Sequence, residues 1–190
     1  MRRFEVVMEG HFDYGNGFHG RLYLNPHKLL QWPSTIWRVA QDLIDVMPVD
    51  FIEQTQVVAG PATGGALLAH TVAGLLDGRR PMTHPPYSFA PFGDQEGEPT
   101  LSPFYANSMS GRRVLIVDDV RNTGTTFKRC AELVVDAGGT VVGTVEIIDR
   151  CEPCVSVNAL NVALVEYTSP PNYPEDDCPM CAANVPITTF

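Results

Sequence analysis

The stretch Val114-Leu115-Ile116-Val117-Asp118-Asp119-Val120-Arg121-Asn122-Thr123-Gly124-Thr125-Thr126 limits the possible folds of this chain more than any other. Its four leading apolar residues, mostly β-branched, read as a strand buried on both faces, the habit of a parallel sheet covered by helices. Two aspartates stand where that strand is expected to end. A short Asn/Thr/Gly loop follows, then a helix on which Phe127, Cys130, Ala131, Val134 and Val135 recur at helical spacing, with Gly138-Gly139 as the stop.

Each part of this unit has a chemical use. Small residues let backbone N–H groups approach a phosphate closely, and the helix N-terminus adds partial positive charge. Thr123, Thr125 and Thr126 offer hydroxyl donors to the same oxygens, while Asp118 and Asp119 are placed to accept from a sugar diol or to approach magnesium. A ribose 5-phosphate satisfies both ends. Competing phosphate motifs fit poorly, because no Walker lysine is present and no G-x-G-x-x-G follows an expected strand. The plain alternative is a structural strand–turn–helix crossover.

At these residues the chain resembles the type I phosphoribosyltransferases. Val114 to Thr126 is similar to the family's phosphoribosyl pyrophosphate signature, and flanking segments resemble orotate phosphoribosyltransferases over most of the chain. The resemblance implies an α/β fold with a central parallel sheet of about five strands flanked by helices. Residues 34–167 form that core, and residues 1–33 and 168–190 form a small hood. It also implies transfer of ribose 5-phosphate from phosphoribosyl pyrophosphate to a nucleobase, orotate first, with Mg2+ as cofactor and a homodimer as assembly. Asp118 and Asp119 inherit the catalytic role. They also bind phosphoribosyl pyrophosphate, together with Arg121, Asn122, Thr123, Gly124, Thr125 and Thr126.

A second strand–loop–helix unit lies upstream. Val57-Val58-Ala59 leads into Gly60-Pro61-Ala62-Thr63-Gly64-Gly65, and Ala66 to Leu76 follows as a helix apolar nearly all round. By resemblance Ala62, Thr63, Gly64 and Gly65 hold the pyrophosphate. Alone, the pattern fits a tight structural turn equally well, but two such loops at one sheet edge converge where ligands of open α/β sheets collect.

Val141 to Ile148 reads as another buried strand, ending in Asp149-Arg150. By resemblance Arg150 pairs with the carboxylate of the base, a match of planar guanidinium to carboxylate. Asn122 and His19 are the other expected base contacts; the family often has Thr at the position of Asn122. Residues 4–8 and 22–24 read as short strands around the polar turn Tyr14 to Arg21, either part of the hood or an exposed hairpin. Residues 34–46 form an amphipathic packing helix with Ser34 as cap, and 162–167 supply a last strand.

After an expected strand at 87–90, residues 91–111 show no periodicity and read as a lid or a disordered segment. The family carries a lysine in a mobile loop here. This chain has no Lys or Arg between Pro81 and Gly111, which keeps two other functions open: transfer to a different base, or a non-catalytic sensor of a phosphoribosyl ligand.

Composition narrows the partners. A formal net charge of −9 over 190 residues disfavours a nucleic-acid surface, and no apolar run approaches the length of a membrane span. Met1 to Glu5 lacks the apolar core of a signal peptide, so the expected location is cytoplasmic. Of five cysteines, Cys130 falls on the apolar face of its helix. The other four form two C-x2-C pairs, Cys151/Cys154 and Cys178/Cys181, separated by 23 residues. They suit one structural zinc ion or are four reduced thiols; the proline inside both pairs favours zinc.

Overall fold

The computed structural model describes residues 6–15, 17–62 and 64–189. The chain opens with β1 (Val7–Asp13), β2 (Phe18–Leu24), α1 (His27–Leu30), α2 (Pro33–Val46) and α3 (Val49–Gln54). It continues through β3 (Val57–Pro61), α4 (Gly64–Arg79), β4 (Ser88–Gln95), β5 (Glu98–Thr100), α5 (Pro103–Met109), β6 (Arg113–Arg121) and α6 (Thr125–Asp136). β7 (Thr140–Asp149), β8 (Leu160–Glu166), β9 (Tyr173–Pro174) and α7 (Pro179–Ala182) complete it.

The main sheet has the order β5-β4-β3-β6-β7-β8. The five strands β4, β3, β6, β7 and β8 run parallel, and β5 is an antiparallel edge. Alternation along β6 explains why its apolar run is continuous. Leu115 and Val117 pack with α2 and α4 residues such as Leu43, Leu68 and Val72, while Val114 and Ile116 pack with Phe127, Cys130 and Val134 of α6 and Met109 of α5. The helix α6 ends as its glycines require: Gly138, at φ 78°, donates to Val135 O, and Gly139 donates to Val134 O.

Strand order fixes where a ligand can enter. From β3 the chain moves outward to β4, then returns to place β6 on the other side of β3. The helices after β3 and β6 therefore cover opposite faces, and the crevice between the C-terminal ends of these two strands is the switch point. β3 and β6 pair only through Ala59↔Ile116, whereas β6 and β7 stay paired as far as Arg121↔Asp149. Asp118 and Asp119 thus lie inside a strand held there on one side only, which runs on to Arg121 rather than ending at the aspartates as the sequence pattern implied.

A second, three-stranded sheet, β1-β2-β9, joins the N-terminal hairpin to the C-terminal segment. Its strands, Val7–Asp13 and Phe18–Leu24, are longer than the expected 4–8 and 22–24; residues 4, 5 and 16 lie outside the described residues. Residues 91–111 differ from expectation. Instead of a structureless lid they form the rest of β4, a hairpin to β5, and α5. Glu96 and Gly97, both at positive φ (54° and 84°), make a two-residue turn between Gln95 and Glu98, and this backbone lets so polar a segment pair tightly.

Candidate active site

Asp118 is buried, and one of its carboxylate oxygens accepts the backbone N–H of Asp119 at 2.8 Å. The Asp119 side chain, largely buried, turns toward His27, whose Nε2 lies 3.9 Å from Oδ2. Burial and then the neighbouring Asp119 charge push Asp118 well above the usual carboxylate range. Burial also raises Asp119, with His27 opposing. Glu146, opposite Asp118 on β7, is fully buried; burial lifts it to about 7, against the opposing pull of its bond from Asn161 and of Arg121.

The loop after β6, expected to cradle a phosphate, leads directly into α6. Gly124, at φ 76°, is the residue before α6, where a side chain would strain the backbone. Thr123 and Thr125 share a hydroxyl–hydroxyl hydrogen bond of 2.9 Å. Val155 N donates to Thr123 O, fixing the loop from the segment after β7. Arg121 does not turn into either cavity described below. Its Nη1 lies 3.9 Å from Asp149 Oδ2, and its guanidinium sits beneath Gly124.

The loop after β3 abuts the carboxylates. A methyl group at Gly65 would lie 2.8 Å from Asp118 Oδ1 and 2.8 Å from Val117 O, and one at Gly64 would collide with the Asp119 carboxylate. Close approach of backbone to these acids is why glycine occupies both positions. Ala62 accepts support from β4 through its N–H to Phe92 O. Thr63, expected in the same loop, lies outside the described residues.

Two adjoining cavities share His27, Asp119, Val120 and Asn122. The larger, about 460 Å³, reaches Tyr14, Arg150, Glu152 and Asn172 beneath the hood. The smaller, about 310 Å³, is walled by Ala62, Gly64, Asp118 and Thr126 and by Gly93, Asp94, Gly97 and Pro99 of the β4–β5 hairpin. Arg150 is anchored in the larger one at three points: Nη1 to Asn122 Oδ1 (3.0 Å), Nε to Ser169 Oγ (2.9 Å) and Nη2 to Glu152 Oε1 (3.1 Å). Burial raises the Tyr14 hydroxyl, with the Arg150 charge acting against it.

The acid pair of β6 and the turn into α6 thus border both cavities, Asp119 and Asn122 standing where the two meet. A family model for the phosphoribosyl transferase domain matches residues 29–168. The chain belongs to the phosphoribosyltransferase family. It is accordingly an enzyme of the phosphoribosyl-transferring class. Over 185 residues it is 30% identical to an orotate phosphoribosyltransferase of Caldanaerobacter subterraneus, covering 97% of this chain and 90% of the relative. Another of the same name, from Pelotomaculum thermopropionicum, is 32% identical over 184 residues (95% and 88%). Among solved structures, orotate phosphoribosyltransferase from Aeropyrum pernix superposes with a TM-score of 0.63 at 23% identity, covering 85% of this chain and 88% of that one. Adenine phosphoribosyltransferase from Thermoanaerobacter pseudethanolicus gives 0.58 at 16% identity (77% and 88%). The fold is thus common to transferases named for different bases.

Two expectations are corrected by placement. His19, expected at the base, is buried in the hood beside His11 and does not line the larger cavity. The four-cysteine metal site does not assemble. Cys178 and Cys181 face His11 and His19, whereas Cys151 and Cys154 lie on the exposed segment after β7, their thiols turned to the carbonyls of Asp149, Asn122 and Glu152. Sequence reading also missed His27. Its position beside Asp119 depends on α1 folding back over the sheet, which no local pattern announces.

Among the described residues no helix is long and apolar enough to cross a membrane.

Proposed function

We propose that this phosphoribosyltransferase moves ribose 5-phosphate from phosphoribosyl pyrophosphate to a ring nitrogen of orotate, a step of pyrimidine nucleotide synthesis. The observation that carries the proposal is the three-point anchoring of Arg150 at the wall of the larger cavity, beside Asn122. A guanidinium held in one orientation presents its remaining N–H groups to a planar carboxylate, which orotate bears and adenine lacks. The shared name of the curated relatives supports the same base.

In this reading the 5-phosphate rests on the backbone N–H groups of Asn122 to Thr126, helped by the Thr123, Thr125 and Thr126 hydroxyls and the N-terminus of α6. Asp118 and Asp119 accept from the ribose hydroxyls. Backbone of Ala62, Gly64 and Gly65 faces the pyrophosphate in the smaller cavity. The bond from C1 of the ribose to pyrophosphate breaks, the bond from C1 to the base nitrogen forms, and positive charge develops at C1 between. Catalysis is then mainly positioning and charge neutralisation. The all-oxygen donors of Asp118 and Asp119 fit a hard cation; they would hold Mg2+, which would supply charge neutralisation for the pyrophosphate. Trp37 on α2 and Leu67 on α4, half-exposed apolar side chains of two helices packed on each other, support a homodimer. A cytoplasmic location accompanies the biosynthetic role.

One observation favours a second reading. The β4–β5 hairpin brings Asp94 to the smaller cavity and supplies it no cation, so a phosphoribosyl pyrophosphate sensor, or transfer to another base, is the alternative. Pyrophosphate release from phosphoribosyl pyrophosphate with Mg2+, measured against orotate, uracil, adenine and guanine, separates them. Orotate-dependent release is the expected result. Release with another base only, or tight binding without release on any base, overturns the orotate assignment.

A further inference from the structure

The hood contains a second constellation that the transfer reaction does not use. His11 on β1, His19 on β2, and Cys178 and Cys181 around α7 direct one nitrogen or sulfur each to a common point, all four atoms lying within 4.8 Å of one another. We propose that these four residues bind one zinc ion, which cross-links the N-terminal hairpin to the C-terminal tail.

Distances carry the assignment. A tetrahedral zinc with nitrogen ligands at about 2.0–2.1 Å and sulfur ligands at about 2.3 Å sets its donors roughly 3.3 Å (N···N), 3.6 Å (N···S) and 3.8 Å (S···S) apart. The side chains show 3.1 Å between His11 Nε2 and His19 Nδ1, and 3.6 and 3.7 Å from His11 Nε2 to the sulfurs of Cys178 and Cys181. His19 Nδ1 stands 3.2 Å from Cys181 Sγ.

A hydrogen-bond network accounts for this less well. His11 Nδ1 lies 2.9 Å from Val185 O, and a carbonyl only accepts, so Nδ1 carries the proton. In the neutral ring Nε2 is then a bare lone pair, facing one nitrogen and two sulfurs at once. A lone pair serves one donor, not three. The carbonyl contact is also the outer partner that metal-bound histidines generally have. His11, His19 and Cys178 are buried, where such groups need partners. The surrounding backbone brings the ligands together independently of metal. His19 pairs with Tyr173 across β2 and β9, Thr188 N donates to His11 O, and Ala182 N donates to Cys178 O within the C-x2-C turn.

The closed set of four protein ligands makes the site structural. It sits behind the wall of the larger cavity, since β2 supplies Leu22, Tyr23 and Leu24 to that wall and the segment before β9 supplies Asn172.

The test is metal analysis of the untagged full-length protein, with cobalt substitution as a readout that does not depend on variants folding. Wild type and the double variant Cys151→Ser/Cys154→Ser are expected to hold about one equivalent of zinc, and Cys178→Ser/Cys181→Ser or His11→Ala less than about a tenth. Cobalt added to metal-stripped wild type is expected to give intense tetrahedral d–d bands and a thiolate-to-cobalt charge-transfer band. His19→Cys is expected to keep the metal and strengthen that band. Isolation without metal and without these cobalt spectra overturns the proposal, as does loss of zinc from Cys151→Ser/Cys154→Ser alone.

Discussion

The guanidinium of Arg150 donates through Nη1 to Oδ1 of Asn122 at 3.0 Å, joining the residues that follow the paired strands β7 and β6 at the wall of the larger cavity. The contact ties base recognition to the turn that carries the phosphate cradle. A charged hydrogen bond of this kind contributes about 1.5–3 kcal/mol, or roughly 10- to 150-fold. Arg150→Gln is therefore expected to lower kcat/KM for orotate by about that factor and to leave KM for phosphoribosyl pyrophosphate within about twofold. Two-substrate kinetics check this; an equal rise in both KM values would mean that Arg150 supports the turn rather than the base.

Gly65 has no room for a side chain between Pro61, Val117 and Asp118. Gly65→Ala is expected to cost about 1–3 kcal/mol through overpacking, lowering Tm by roughly 2–12 °C. Because the added methyl also displaces the Asp118 carboxylate, affinity for phosphoribosyl pyrophosphate should fall as well. Thermal unfolding and calorimetry measure the two effects, and an unchanged Tm contradicts the packing described.

The ribose-facing acids titrate in a direction with a functional consequence. Burial raises both Asp118 and Asp119, so each takes up its proton at a higher pH than an exposed aspartate. A protonated carboxyl accepts less well from a diol. The affinity advantage of wild type over Asp119→Asn is accordingly expected to shrink as pH is lowered toward the ordinary carboxylate range, a ratio from which the ligand's own phosphate titration cancels. Calorimetric titrations of both proteins across that range test it; a constant ratio contradicts it.

Much of this arrangement is legible locally because it is built locally. The apolar run, the acid pair and the Thr/Gly turn of 114–126 are contiguous, and the alternate burial of Val114 and Leu115 follows from strand geometry alone. What escaped depends on contacts distant in sequence. The two C-x2-C pairs look alike, and nothing in spacing says that Cys178/Cys181 meets a pair of histidines near the other terminus. A usable signal existed: His11 and His19 flank a Gly-rich turn and lie close across one hairpin. The β4–β5 hairpin was hidden because the first of its two positive-φ turn positions is Glu96, a residue that does not announce such a turn, with glycine only at the second, Gly97.

Glu146 offers a stability test. It accepts from Asn161 Nδ2 through Oε1 at 2.6 Å, while Oε2 is buried without a hydrogen-bond partner. Burial raises its folded pKa from 4.5 to about 7, so ionising it disfavours the fold and stability is lost as pH rises through that interval. Glu146→Gln has no such charge. It is expected to be more stable than wild type at pH 8 by on the order of 1–3 kcal/mol, the advantage fading below about pH 5. Denaturant titrations at the two pH values decide; a variant less stable at pH 8 would show the Glu146 charge to be stabilising.

The central claim is that the two aspartates in the C-terminal half of β6 grip the sugar of phosphoribosyl pyrophosphate while the turn to α6 holds its 5-phosphate. Calorimetric titration of phosphoribosyl pyrophosphate into wild type and Asp119→Asn, with Mg2+ at neutral pH, tests it most directly. The account predicts binding to wild type and an affinity at least about tenfold lower in the variant, the loss of a charged acceptor from the diol. Equal affinities in the two proteins would contradict it.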